Sequence, residues 1–251
     1  MSPCFRVFSR AALLAGAGSL ALVLSSWTVP TSRSGANVPQ QDNNRYIGAA
    51  KCKNCHSAKD CGDQYGVWEK EKHPQAFELL GTAKAKEVGK KVGVDDPQTS
   101  PKCVECHVTA YGEPKEKLHR SFDPKLGVQC ETCHGPGEKH LKARMAEAAA
   151  IEEKGQKAPD FAVIPDAEII KAPDAKTCQK CHNDKSPSYK PFCFHTRAEE
   201  IRHLNPKKPR TDQEKAALKE CKCEAQCVCK KAADGGKCPP ASKGGDKEEK
   251  K

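Results

Sequence analysis

Apolar residues are spread unevenly along this chain. They crowd into one run from Ala11 to Leu24, extendable to Trp27, and beyond it stand in short groups among charged and polar neighbours. Arg6 and Arg10 precede the run, and from Ser25 the chain turns polar. That charged, apolar, small-residue order is the order of an export signal, with Ser34-Gly35-Ala36 as a cleavage point. Taken to Trp27, the run reaches the lower limit for spanning a bilayer, so an uncleaved anchor is the alternative. A buried core helix is the third reading, and the two arginines, with nothing acidic before Asp42, argue against it. No later stretch is apolar enough to cross a membrane.

Downstream, the pattern predicts short helices and long connections. Between Tyr65 and Val94, Trp68, Phe77, Leu79 and Leu80 fall on a predicted helix whose end, Lys84 to Lys91, is a solvated face. His73 heads a helix, with Pro74 in its first turn. Asp95 to Pro101 is a loop. Gly135-Pro136-Gly137 breaks the chain, and Glu138 to Glu153, rich in alanine and alternating charge, reads as a helix. Pro159, Pro165 and Pro173 punctuate an irregular stretch, and Arg197 to Leu204 is a further short helix. No strand pattern emerges. The expected fold is mainly α, with little or no sheet.

Composition changes that picture. Only 37% of residues are hydrophobic and 5% aromatic, too few for a conventional core in a chain of this length. Something other than side chains must fill the interior. Four repeats of Cys-x-x-Cys-His supply the candidate: Cys52, Cys55 and His56; Cys103, Cys106 and His107; Cys130, Cys133 and His134; Cys178, Cys181 and His182. This is the attachment pattern of a c-type haem, in which both cysteines bond the porphyrin and the histidine reaches its iron. Four copies predict four covalently bound haem c groups whose faces become the core, with the chain wrapped around them. The apo-chain should then fold poorly, as metal-dependent small domains do. Export agrees with this, since such attachment is made outside the cytoplasm, and it places the protein in the periplasm. The organisation expected is a signal peptide at 1–36, a linker at 37–46, a tetrahaem domain at 47–204 and a Lys/Cys-rich, largely disordered tail at 205–251.

The formal charge of +10 would ordinarily suggest an anionic partner. Haem propionates offset most of it, so the lysines read as propionate partners and solvated faces, and nucleic acid is not an expected partner.

With His56, His107, His134 and His182 proximal, five histidines remain: His73, His119, His140, His195 and His203. Beyond the leader the single methionine is Met145, so at most one iron could have His/Met ligation. Most irons should be bis-histidine and comparatively reducing. His140 lies too close to His134 in sequence to pass round the same porphyrin, and should serve a different haem. His73, His140 and His203 are the leading distal candidates, with His119 and His195 as alternatives. The size rule gives a radius of gyration of roughly 17 Å for a domain this long, so four macrocycles must lie near one another.

The chain resembles the tetrahaem cytochrome c-554 family of bacterial nitrogen metabolism. The resemblance rests on Tyr46-Ile47-Gly48, on Trp68 with His73, on the stretch from Cys103 to Val108 with Tyr111-Gly112, and on Gly127 through Gly137 with His140. It covers about residues 46–204 and is absent from the tail. It implies an α-helical fold with haems in stacked pairs. It also implies His140 as the distal ligand of the first haem, His73 of the third, and a histidine after the fourth motif, His203 rather than His195, for the fourth. The second haem is five-coordinate in the family and capped by a proline–phenylalanine segment, to which Tyr189-Lys190-Pro191-Phe192 is similar; Lys190 is a departure there. His119 is the residue that could close that site.

The leading functional expectation is electron relay between periplasmic redox proteins, without catalysis. The alternative is an enzyme that binds or reduces nitric oxide, or a similar small species, at the second haem. No Cys-x-x-Cys-Lys motif is present, which removes the lysine-ligated catalytic haem of pentahaem nitrite reductases. A third reading makes Cys103, Cys106, Cys130 and Cys133 a structural zinc site, which the exported context and the fifth-place histidines oppose. In the tail, Cys221, Cys223, Cys227, Cys229 and Cys238 read as disulfides, or as a thiolate cluster for Cu(I) or zinc. Cys61 and Cys193 are expected to form a disulfide.

Overall fold

The computed structural model describes residues 43–208 together with 210, 212, 227 and 228. The export signal, most of the linker, most of the helix expected from Asp212, and Cys221, Cys223, Cys229 and Cys238 lie outside the described residues. Within them the chain is mainly helical. The helices are α1 (Ala49–His56), α2 (Gln64–Glu69), α3 (Ala76–Leu79), α4 (Ala83–Lys91), α5 (Pro101–His107), α6 (Cys130–His134), α7 (Glu138–Glu153), α8 (Ala175–Gln179) and α9 (Phe194–Glu200). Short 3₁₀ turns lie at Lys59–Cys61, Lys115–Lys117 and Pro124–Leu126. The strand content is one two-residue antiparallel ladder, β1 (Phe192–Cys193) with β2 (Cys227–Val228). No helix among the described residues is long and apolar enough to cross a membrane.

The helix from Glu138 to Glu153 forms as its composition predicts. The stretch from Tyr65 to Val94 does not form one helix but three. Pro74 disfavours helical backbone at His73 before it, and the chain turns again at Gly81. Thr82 then starts α4, its hydroxyl accepting from the Ala85 N–H at 3.2 Å. The helix expected from Arg197 instead runs Phe194–Glu200 and stops before Asn205-Pro206.

The side-chain core is small and largely polar at its centre. Ile47, Ala49, Cys61, Trp68, Leu80, Val94 and Val104 are buried, and with them Asn44, Thr109, Gln129, Glu131 and Glu138. Asn44, Thr109, Gln129 and Glu131 work on main chain, whereas the Glu138 carboxylate pairs with the side chains of Arg45 and Lys142. Glu131 accepts from the N–H groups of Ile47 (2.8 Å), Gly48 (2.7 Å) and Gly137 (2.8 Å), while Gln129 accepts from Ala49 at 2.8 Å. The N-terminus of α1 is thus capped by side chains on and beside α6, since the first helical N–H groups have no partner in their own helix. Asn44 does the same for α7, accepting from Lys139 N–H at 2.8 Å and donating to the Pro136 carbonyl at 2.6 Å. Trp68 donates its indole N–H to the Val128 carbonyl at 2.9 Å.

Two glycines mark close approaches. Gly127, at φ 64°, lies where a Cβ would come within 2.8 Å of the carbonyl oxygens of His73 and Pro74. Gly62, at φ 103°, lies where a Cβ would collide with the Leu204 carbonyl. The first draws the His73 segment against the approach to α6. The second seats the segment carrying His203 against the turn after the first motif.

Candidate haem-binding site

A helical turn brings residues three and four apart onto one face. In α1, α5 and α6 the two cysteines and the closing histidine of each motif therefore point the same way, with His56, His107 and His134 as the last helical residues. The fourth motif begins in α8, and Cys181 and His182 follow in a turn. All eight motif cysteines are free thiols, whereas Cys61 and Cys193 are each engaged in a disulfide. A free thiol is what a thioether bond to haem requires.

The motifs adjoin one another through these thiols. Cys52 hydrogen-bonds with Cys130, which with burial holds the Cys52 thiol protonated and lowers the pKa of Cys130. Burial pushes Cys133 up to about 11, with a smaller push from nearby Cys178. Burial, with Cys106 beside it, pushes Cys181 up to about 12. The first motif therefore meets the third, the third meets the fourth, and the fourth meets the second.

The histidines come together in pairs. His56 faces His140 with ring centroids 6.2 Å apart, His73 faces His182 at 6.1 Å, and His134 faces His203 at 6.0 Å. With iron–nitrogen bonds of about 2 Å, two imidazoles on opposite sides of one iron have centroids about 6 Å apart. Hydrogen bonding agrees. The Nδ1–H groups of His107, His134 and His203 donate to the carbonyls of Ala76 (2.7 Å), Ile170 (2.6 Å) and Ile201 (2.9 Å). His56 Nδ1 lies 3.4 Å from Gln64 Oε1, and His140 Nδ1 lies 3.3 Å from Glu168 Oε2. An acceptor at Nδ1 fixes the tautomer whose Nε2 lone pair is left for a metal. Burial, the leading cause, lowers the pKa of His56, His73, His134, His140 and His182, keeping the rings neutral and able to bind metal. The residues present fit bis-histidine haem c.

Two expectations need correction. The resemblance implied His73 with His134 and His203 with His182. The structure exchanges these, placing His73 beside His182 and His203 beside His134. The physical reason is that each backbone is anchored away from its ring. The His73 carbonyl accepts from Val128 N–H at 3.0 Å near α6 while its ring reaches the fourth motif, and the chain before Asn205 is seated at Gly62. The second correction concerns the cap. Phe192 stacks on His182 with centroids 4.5 Å apart and planes 15° from parallel, so it covers the fourth motif rather than the second. The β1–β2 ladder and the oxidised Cys193 hold it there. Lys190 and Pro191 are exposed.

The alternatives resolve unequally. His119 bonds Ser121 through Nδ1 at 2.7 Å and has Arg45, Glu138 and Lys51 as its charged neighbours. It is not brought to His107, and no second imidazole pairs with His107 among the described residues. The backbone of His195 lies in α9. Sequence reasoning missed Glu168, Arg144 and the acceptor carbonyls, which belong to no motif and have no fixed spacing from the histidines they touch. No group of three His, Cys, Asp or Glu side chains in metal-holding geometry occurs among the described residues.

Residues 51–135, which hold the first three motifs entire, match the family model for cytochrome c554 and c-prime. Those residues belong to the cytochrome c-554 family. The match implies a c-type cytochrome with covalently bound haem c and a role in electron transfer. No curated protein and no solved structure matches the chain.

Proposed function

We propose that this c-type cytochrome is a periplasmic tetrahaem protein that relays electrons between redox partners through mostly bis-histidine sites. The observation that carries the reading is the set of three imidazole pairs at 6.0–6.2 Å, two of them drawing on the fourth motif or the segment after it. Haem, when bound, would supply one-electron redox chemistry. The chain's part is to attach, ligate and shield. Cys52 and Cys55, Cys103 and Cys106, Cys130 and Cys133, and Cys178 and Cys181 would hold the four groups. His56 with His140, His182 with His73, and His134 with His203 would offer three pairs of imidazoles to the haem irons. The contacts of Cys52 with Cys130 and of Cys106 with Cys181 favour transfer between adjacent motifs.

A pyridine haemochrome assay on protein made in a host able to attach haem tests the count. Four haems per chain are expected, and fewer would refute the proposal. Low-temperature EPR of the oxidised protein should show three low-spin ferric signals and a high-spin one.

The second reading, binding or reduction of nitric oxide or a similar small species, is favoured by one observation. Among the described residues no second imidazole faces His107, whose Nδ1 is already committed to Ala76. Nitric oxide bound by the reduced protein and turned over would establish it. Binding without turnover would leave electron relay alone.

A further inference from the structure

The Nδ1 contacts of the histidines are not equivalent. His107, His134 and His203 donate to main-chain carbonyls, and His56 approaches the neutral amide of Gln64. His140 alone among these faces a carboxylate, Glu168 Oε2 at 3.3 Å, with side-chain exposures of 17% for His140 and 14% for Glu168. A carboxylate this sheltered needs a partner, and Arg144 supplies it. Arg144 lies one turn beyond His140 on α7 and grips both oxygens of Glu168, Nε to Oε2 at 3.1 Å and a terminal nitrogen to Oε1 at 2.6 Å. It also pairs with Glu147. The segment delivering Glu168 is the one that supplies the Ile170 carbonyl to His134, and Ile170 N–H in turn bonds the His134 carbonyl at 3.0 Å. One short irregular stretch thus touches two imidazoles, one with a charge and one with a dipole.

We propose that Glu168, oriented by Arg144, is a tuning residue that lowers the midpoint potential of the haem held between His56 and His140 below that of the haem held between His134 and His203. The proposal rests on reading His56 and His140 as one axial pair. A carboxylate at Nδ1–H makes the imidazole a stronger electron donor and places negative charge near the iron, and both effects favour ferric over ferrous. Peptide carbonyls at His134 and His203 do the same more weakly. Arg144 offsets part of the charge and fixes the carboxylate's direction. The competing account is that Glu168 and Arg144 merely fasten a loop to α7.

Redox potentiometry on the haem-loaded full chain, followed by EPR, separates the two. His140→Ala first identifies the signal of this site, because it should remove one low-spin signal. Glu168→Gln should then raise the ferrous-to-ferric ratio of that same haem about tenfold at fixed applied potential, about 59 mV for one electron. Its low-spin signal should persist with shifted g-values, and the other haems should be unchanged. Arg144→Gln, which leaves the carboxylate uncompensated, should move the same haem in the opposite direction. If Glu168→Gln loads haem poorly, the Arg144→Gln arm decides alone. Unchanged potentials with full haem content would overturn the proposal, as would conversion of the signal to high-spin, since Glu168 would then only hold the ring. Failure of His140→Ala to remove a low-spin signal would instead refute the axial pair itself.

Discussion

Residues 43–138 and residues 139–208 are built on different principles. The first region has its own interior, where Glu131, Gln129, Thr109 and Asn44 are buried and hydrogen-bonded around Ile47, Trp68, Leu80 and Val104. In the second, no residue from 139 to 191 is buried, and among the described side chains burial returns only at Phe192 and Cys193. Its ties instead run largely through histidines: Ile170 to His134, Glu168 to His140, Phe192 to His182. The family match ends at residue 135, near this same boundary. A chain that buries little of itself cannot offset the conformational entropy lost on ordering. On the proposed tetrahaem reading, the second region would draw its cohesion from the haem its cysteines and histidines hold.

The most disruptive way to break the comparison is at the shared motif. Cys130→Ser with Cys133→Ser should remove one haem of the expected four and unfold both regions, because α6 caps α1 and adjoins the fourth motif. Cys178→Ser with Cys181→Ser should also cost one haem but confine the damage to residues 139–208. Haemochrome content with hydrogen exchange by region would distinguish these outcomes. Equal loss of protection everywhere in the second variant would erase the distinction.

Smaller effects sharpen it. Glu131→Gln keeps the shape but replaces one acceptor oxygen with a donor facing N–H groups, and should cost about 2–3 kcal/mol in denaturant unfolding. Glu138, gripped by Arg45 at 2.6 and 2.7 Å and paired with Lys142, is held down to about 2. Its folded pKa lies below its ordinary 4.5, so its contribution is complete above that pH and is lost as pH falls toward 2. Glu138→Gln should destabilise by about 1–2 kcal/mol at neutral pH, allowing for water around the half-exposed arginine. The gap to the native protein should close across that acid range. Arg197→Ala, which removes an exposed pair with Glu200 on α9, should change stability by no more than about 0.5 kcal/mol.

Much was legible in the sequence because it is local. The four motifs follow from covalent spacing, and α7 from alanine and alternating charge closed off by Gly135-Pro136-Gly137. The three-way break between Tyr65 and Val94 was signalled by Pro74, Gly81 and Thr82, whose capping chemistry outweighs a loose apolar pattern. Glu131 carried no signal that it would accept three main-chain N–H groups, since those donors come from residues 47, 48 and 137.

The sequence by itself determined where haem would attach and that histidine, not methionine, is the abundant candidate for the remaining ligands, because bonding to neighbouring residues needs no knowledge of the fold. Only the tertiary structure decided that His73 faces His182 and His203 faces His134, and that a carboxylate stands behind His140. The ring that meets a motif's histidine is whichever one the folded chain carries there. That depends on anchors such as Gly62, Gly127 and Val128, which bear no relation in sequence to the rings they place.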